Sequence, residues 1–266
     1  MSELTAVAER TEAENMIRLQ EGAPAHVRAA LGMASARIGG GVALSMRHDP
    51  SGGYWRKALG FGIDRPVDSD LIGEVLAVYR ANDDEGAVIQ IAPELLPADW
   101  DDIRARHGLA EGSRWVKFAR EATPFESTTN LRVEVVKDDR QEAGEVLLQG
   151  FGMPDGGLSE MFAAPRDDML TFGAFDGERL VAVASLFLYG ESAEIAGAAT
   201  LPDYRGRGAQ SALLAARATA AAERGVRWLI AETGKPGPGD TNHSYNNMIR
   251  AGFRPLYARR NWIWKN

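Results

Sequence analysis

Eight residues, Tyr204-Arg205-Gly206-Arg207-Gly208-Ala209-Gln210-Ser211, have the types and spacing best suited to chemistry. Gly206 and Gly208 leave backbone N–H groups uncovered just before an alanine-rich run. A helix that starts there aims its unpaired donors, and the positive end of its peptide dipoles, at the loop. That arrangement suits a phosphate. Arg205 and Arg207 add positive charge in a chain of formal net charge −7, which points to a polyanionic ligand. Short glycine motifs also occur in ordinary turns, so the flanking elements must decide.

Those elements have a clear order. Residues 209–224 contain no Gly or Pro and run into Gly225, the pattern of a helix and its stop. Residues 180–188 and 193–200 are small and apolar with turn signals between them, and residues 228–232 form another strand-like run. Strand, glycine loop, helix and strand imply a right-handed crossover in a sheet. Upstream, residues 131–136 alternate as a strand, 140–149 read as a helix, and 169–175 as a strand that turns at Asp176-Gly177.

A polar, Pro-containing stretch at 121–130 divides the chain into an expected domain over 1–125 and a second over 130–266. The first half shows helical patterns at 12–19 and 69–80 and a helix opened by residues 97–102. Strands are expected at 39–46, 87–92 and 115–119, the last as the closing strand of that half. It has no arginine and glycine loop, so a repeat would be structural and not a second active site.

Composition narrows the alternatives. With 45% hydrophobic and 25% charged residues the chain is an ordinary globular protein with ample core. Its acidity and the lack of a basic stripe argue against a nucleic-acid partner. No cysteine removes disulfides, thiol nucleophiles and thiolate metal sites, and His26, His48, His107 and His243 lack metal spacing. Neither a signal peptide nor an apolar run of ~20 residues is seen, so no membrane partner and a cytoplasmic location are expected.

Residues 200–214 resemble the acetyl-CoA-binding motif of the GCN5-related N-acetyltransferase (GNAT) superfamily, Gln/Arg-x-x-Gly-x-Gly/Ala. Arg205 and Gly208 match, whereas Gln210 stands where Gly or Ala is usual. Residues 244–253 resemble the second motif, an asparagine-bearing helix ending in Gly-Phe. Weaker matches at 57–62, 91–93 and 115–118 resemble the degenerate first half of tandem members. The resemblance implies an α/β (α+β type) fold with a mixed, mostly antiparallel central sheet flanked by helices, built as two GNAT-like halves. It implies acetyl-CoA as co-substrate, no metal, and a small-molecule or peptide amine as acceptor.

The resemblance also assigns roles. The cofactor would lie on Ala198, Ala199, Thr200, Arg205, Gly206, Arg207, Gly208, Ala209, Gln210, Ser211 and Asn247. Glu194 stands where the histone acetyltransferase branch has its general base. Strand alternation would put positions 194, 196, 198 and 200 on one face, so that Glu194 looks over Ala196 and Ala198 into a cleft. The usual tyrosine acid is replaced by Met248, and Tyr245, Ser244 or Tyr257 could stand in, Tyr245 being taken here as the catalytic candidate.

Two other readings remain open at this stage. Gly206 to Ser211 almost spells the Gly-x-Gly-x-x-Gly of a dinucleotide site, with Glu232 placed as a ribose ligand. Ser211 in place of the last glycine, and the short chain after Glu232, count against it. Alternatively, a protein with a degenerate first half and no usual acid could bind acetyl-CoA as a sensor without transferring the acetyl group.

Overall fold

In the computed structural model, which describes residues 2–266, one mixed sheet of eleven strands runs through both halves of the chain. The first half contributes helices α1 (Glu3–Glu21) and α2 (Ala25–Leu31), and strands β1 (Met33–Ile38), β2 (Gly41–Met46) and β3 (Lys57–Leu59). Helix α3 (Ser69–Ala81), β4 (Gly86–Gln90), α4 (Trp100–Arg106) and β5 (Ala110–Glu121) follow. Beyond the polar stretch come β6 (Arg132–Val135), α5 (Arg140–Phe151), α6 (Leu158–Ala163), β7 (Met169–Asp176), β8 (Arg179–Tyr189) and β9 (Ser192–Thr200). The chain ends with α7 (Ala209–Glu223), β10 (Trp228–Gly234), α8 (His243–Arg250) and β11 (Arg254–Lys265).

The sheet order is β1-β2-β3-β4-β11-β5-β10-β9-β8-β7-β6. Neighbours are antiparallel except β3 with β4 and β9 with β10. Each parallel pair encloses one helix, α3 or α7, as a crossover between parallel strands requires. The expected mixed, mostly antiparallel sheet flanked by helices is therefore what the chain forms.

The two halves exchange their last strands. β5, expected to close the first half, pairs on both sides with strands of the second, β10 and β11. β11, the end of the chain, pairs with β4 of the first half. Local sequence carries no signal for this, because strand propensity does not name the neighbour.

The structure also adds elements. The strand expected at 39–46 begins at Gly41, and Gly39-Gly40 is instead the turn of a hairpin with β1. The segment 150–165 contains α6.

Helix α7 explains the orientation of the glycine loop. Its apolar face buries Ala209, Leu213, Ala218 and Ala221 in the core of the second half, alongside Val181 and Leu229 of the sheet. Helix α1 is unusual in burying polar groups, Thr5, Glu9, Glu12 and Asn15, together with Ala8, Ala13 and Ile17. Its buried carboxylates bind Lys117 of β5 and Arg259 of β11, which also binds Glu232 of β10, at the seam between the halves.

Candidate active site

The site forms where β9 and β10 separate. They pair from Ser192 opposite Trp228 as far as Glu194 opposite Ile230, and then part. A bulge in β9 follows: Ser185 of β8 faces Ala196 but Val183 faces Ala199, so one extra residue is inserted, with Gly197 at a φ of +43°. The bulge corrects the simple alternation. Glu194 and Ala196 share a face by register, but Thr200 lies on the other, and its hydroxyl accepts a hydrogen bond from Nε2 of Gln210 on α7 at 2.9 Å. Gln210 is thus held by the protein itself.

Arg217 of α7 secures the same bulge. Its guanidinium is buried with no carboxylate partner among the described residues, and Nη1 donates to the carbonyl oxygens of Ser185 (3.1 Å) and Ala196 (3.3 Å). Nε donates to Leu213 of its own helix. Burial alone brings its pKa down to about 9.

The glycine loop presents its backbone as the sequence suggests. Gly206 and Gly208 have φ of +78° and +80°. A Cβ on Gly208 would lie 2.5 Å from the carbonyl oxygen of Thr128, so both the dihedral and the close approach require glycine. Among the described residues, the N–H groups of Gly206, Arg207 and Gly208 have no protein partner, and no side chain caps α7. The first half differs at the corresponding helix: Asp68 caps α3 by accepting a hydrogen bond from Leu71 N at 2.7 Å. A carboxylate of the chain already occupies that N-terminus.

Two cavities meet at the splay. The outer one, about 610 Å³, lies over the start of α7 and is lined at positions 198–200 and 205–211 except Arg207, with Asn247 on α8. Arg205 lines it and donates to the carbonyl of Gly150 at 2.9 Å. Arg207 is turned away and pairs with Asp176 at 2.8 Å. The inner cavity, about 510 Å³, is lined by Glu194, Ala196 and residues of both halves. Phe151, Ala198, Ser244 and Met248 line both.

Glu194 is almost fully buried and faces the inner cavity. Oε2 accepts a hydrogen bond from Nδ2 of Asn15 at 2.7 Å, and Asn15 Oδ1 accepts one from Arg166 at 3.2 Å, which fixes the amide's direction. Burial, and then the charge of nearby Glu12, push the Glu194 carboxyl up to about 8. Glu12 is moved the other way. Arg259 and then Lys117 outweigh its burial and hold it well below the usual carboxylate range.

Of the acid candidates, only Ser244 reaches the junction. Tyr245 lines neither cavity, and its ring packs edge-on against Phe118 with centroids 5.2 Å apart. Tyr257 donates to Glu9 at 2.6 Å, and burial raises its pKa far above normal. Glu232, considered as a ribose ligand, is bound to Arg259 at 2.6 Å. Asn15, Trp115 and Arg217 are site residues that sequence reasoning missed. Their signal is long-range, and a polar helix position or an isolated strand tryptophan has no local mark of function.

Residues 137–240 match the model of the Acetyltransferase (GNAT) family. A GCN5-related N-acetyltransferase from Kribbella flavida superposes with a TM-score of 0.63 at 19% identity, over 98% of this chain and 95% of that one. One from Sphaerobacter thermophilus gives 0.60 at 13% identity, over 88% and 76%. A tandem GNAT protein from the clavulanic acid biosynthesis pathway gives 0.56 at 14% identity, over 96% of each chain. No curated protein matches the sequence. The molecule has the GNAT fold, and the match to the GNAT family lies within its second half.

Proposed function

We propose that the protein is an N-acetyltransferase that moves the acetyl group of acetyl-CoA to a primary amine by direct attack. The observation that carries this reading is the meeting of the two cavities at Ala198: an uncapped helix N-terminus opens one, and a buried carboxyl of raised pKa faces the other. The first half, roughly residues 1–125, is proposed to be a degenerate GNAT-like unit that contributes walls and strands to the catalytic unit, 130–266.

The residues of the outer cavity fit a CoA. The free N–H groups at the start of α7 suit its pyrophosphate. The edge of β9 beyond Glu194, unpaired with β10, suits the amide-bearing pantetheine arm as an added strand. Asn247 lies across the same cavity. When bound, acetyl-CoA supplies a thioester whose carbonyl carbon bonds to the amine nitrogen as the carbon–sulfur bond breaks.

The chain's part is to hold groups and move protons. Ionised Glu194 takes a proton from the amine, directly or through water, and Asn15 keeps the carboxylate aimed into the cavity. Backbone N–H groups at the bulge near Ala198 stabilise negative charge on the carbonyl oxygen. Ser244 is better placed than Tyr245 to pass a proton to the departing sulfur. Tyr245→Phe therefore leaves the rate within about threefold of wild type, while Ser244→Ala lowers kcat by about tenfold or more.

The test is thiol release from acetyl-CoA across a panel of amines, with CoA and NAD binding measured alongside. Amine-dependent thiol release supports transfer. Tight CoA binding without release on any amine makes the protein a sensor, and binding of NAD in place of CoA overturns the reading.

A further inference from the structure

The inner cavity identifies a class of acceptor. We infer that it takes a small, apolar or aromatic primary amine, bound as its ammonium ion against Glu194; this rests on the acetyltransferase reading above.

The walls are apolar. Met16, Trp55, Trp115, Leu147 and Phe162 line a space of about 510 Å³, within the range of small-molecule sites. They come from α1, the loop before β3, β5, α5 and α6, so both halves enclose the ligand. Such walls offer little to the N–H and C=O groups of a peptide, whose burial without partners is unfavourable. They suit a hydrocarbon or aryl body.

With Glu194 ionised, the polar end is short of one positive charge. Three buried carboxylates, Glu9 and Glu12 of α1 and Glu194 of β9, together with the largely buried Glu232 of β10, face three buried cations, Lys57 of β3, Lys117 of β5 and Arg259 of β11. Arg259 binds Glu9, Glu12 and Glu232, and Lys117 binds Glu12 and Glu232. Lys57 sits 3.8 Å from the centre of the Tyr54 ring, and its charge is favoured by Tyr54, Glu232 and Glu12. Arg166, on the cavity wall, binds Asp168, which Arg18 also binds, and Asn15, and keeps Nη2 without a hydrogen bond among the described residues; Arg140 lies on the wall at the start of α5. Of the four carboxylates, Glu194 alone lacks a cationic partner among the described residues, where its carboxyl has one hydrogen bond, from a neutral amide. An ammonium ion in the cavity supplies the missing charge and is held beside the group that deprotonates it.

The inference predicts a measurable proton. At pH 7 Glu194 is mostly neutral, so placing an ammonium beside it expels a proton to solvent. Calorimetric titration of the full-length protein with bound CoA, in buffers of different ionisation enthalpy, reads this directly. 2-Phenylethylamine should bind at least tenfold more tightly than 2-phenylethanol or spermidine and release close to one proton. In Glu194→Gln the release and the preference over the alcohol should both vanish. Trp115→Leu, at a partly exposed wall position, should weaken the amine at least fivefold while CoA binding is retained. Equal affinity for amine and alcohol, or tighter binding of spermidine or a lysine peptide, overturns the inference. If such a polar amine drives thiol release while the aryl amine does not bind, the acetyltransferase reading stands and this one falls. If the aryl amine binds with proton release but no amine yields thiol, the acetyltransferase reading falls instead.

Discussion

Glu194 links the stability of the protein to its chemistry through one proton. Its folded-state pKa of about 8 lies above the unfolded value of 4.5, so the folded protein binds this proton more tightly. The resulting stabilisation is complete below pH 4.5 and is lost as pH rises through about 8. Glu194→Gln, which cannot ionise, should therefore be more stable than wild type at pH 9 by roughly 2–4 kcal/mol, and by much less at pH 5. Urea unfolding at the two pH values checks the difference. Activity should follow the opposite course, because only the ionised carboxylate accepts a proton. The logarithm of kcat/KM should climb with unit slope and level off near pH 8. This behaviour comes from surroundings that the strand's own sequence does not reveal. Position 194 could be picked from the family resemblance, but Asn15 and Glu12, which set its environment, lie on a helix whose polar positions carry no local mark of burial.

At the scale of elements, the loop and α7 were legible because their signals are local. Glycine punctuation, an alanine-rich run and the stop at Gly225 lie within a few turns, and the helix observed, Ala209–Glu223, follows them. The bulge in β9 was not legible. It depends on Arg217, an arginine that in sequence resembles any exposed helix residue but is buried against the carbonyls of Ser185 and Ala196. Arg217→Met should leave those carbonyls without their donor, costing about 1–3 kcal/mol, and should lower kcat more than it raises the KM for acetyl-CoA. Gly208→Val should affect the other property. A branched side chain at a φ of +80°, against the Thr128 carbonyl, should weaken CoA binding by at least about tenfold. Calorimetry with CoA separates the two variants.

Across the whole molecule, the exchanged strands make the halves interdependent. β11 lies between β4 and β5, and a chain ending at Gly252 would expose an edge of each. That truncation should abolish cooperative unfolding of the first half as well as the second, read by circular dichroism on heating. The charges above the seam act in the same direction. Arg259→Met leaves Glu9, Glu12 and Glu232 without their shared partner in a buried site, and should cost about 3–5 kcal/mol. Sequence patterning divided the chain near residue 125 because the polar stretch is local. It could not show that strands on either side of the break change places, since a strand's partner is chosen by the assembled sheet. The acceptor cavity inherits this architecture, with α1 and β5 of the first half forming its far wall.

The central claim is tested most directly by single-turnover acetyl transfer from bound acetyl-CoA to an amine kept well below saturation, followed from pH 6 to pH 9.5 in wild type and Glu194→Gln. The expected result is a wild-type rate that rises to a plateau near pH 8, and a variant at least about a hundredfold slower with CoA affinity unchanged. Equal rates and the same pH profile in the two proteins would contradict it.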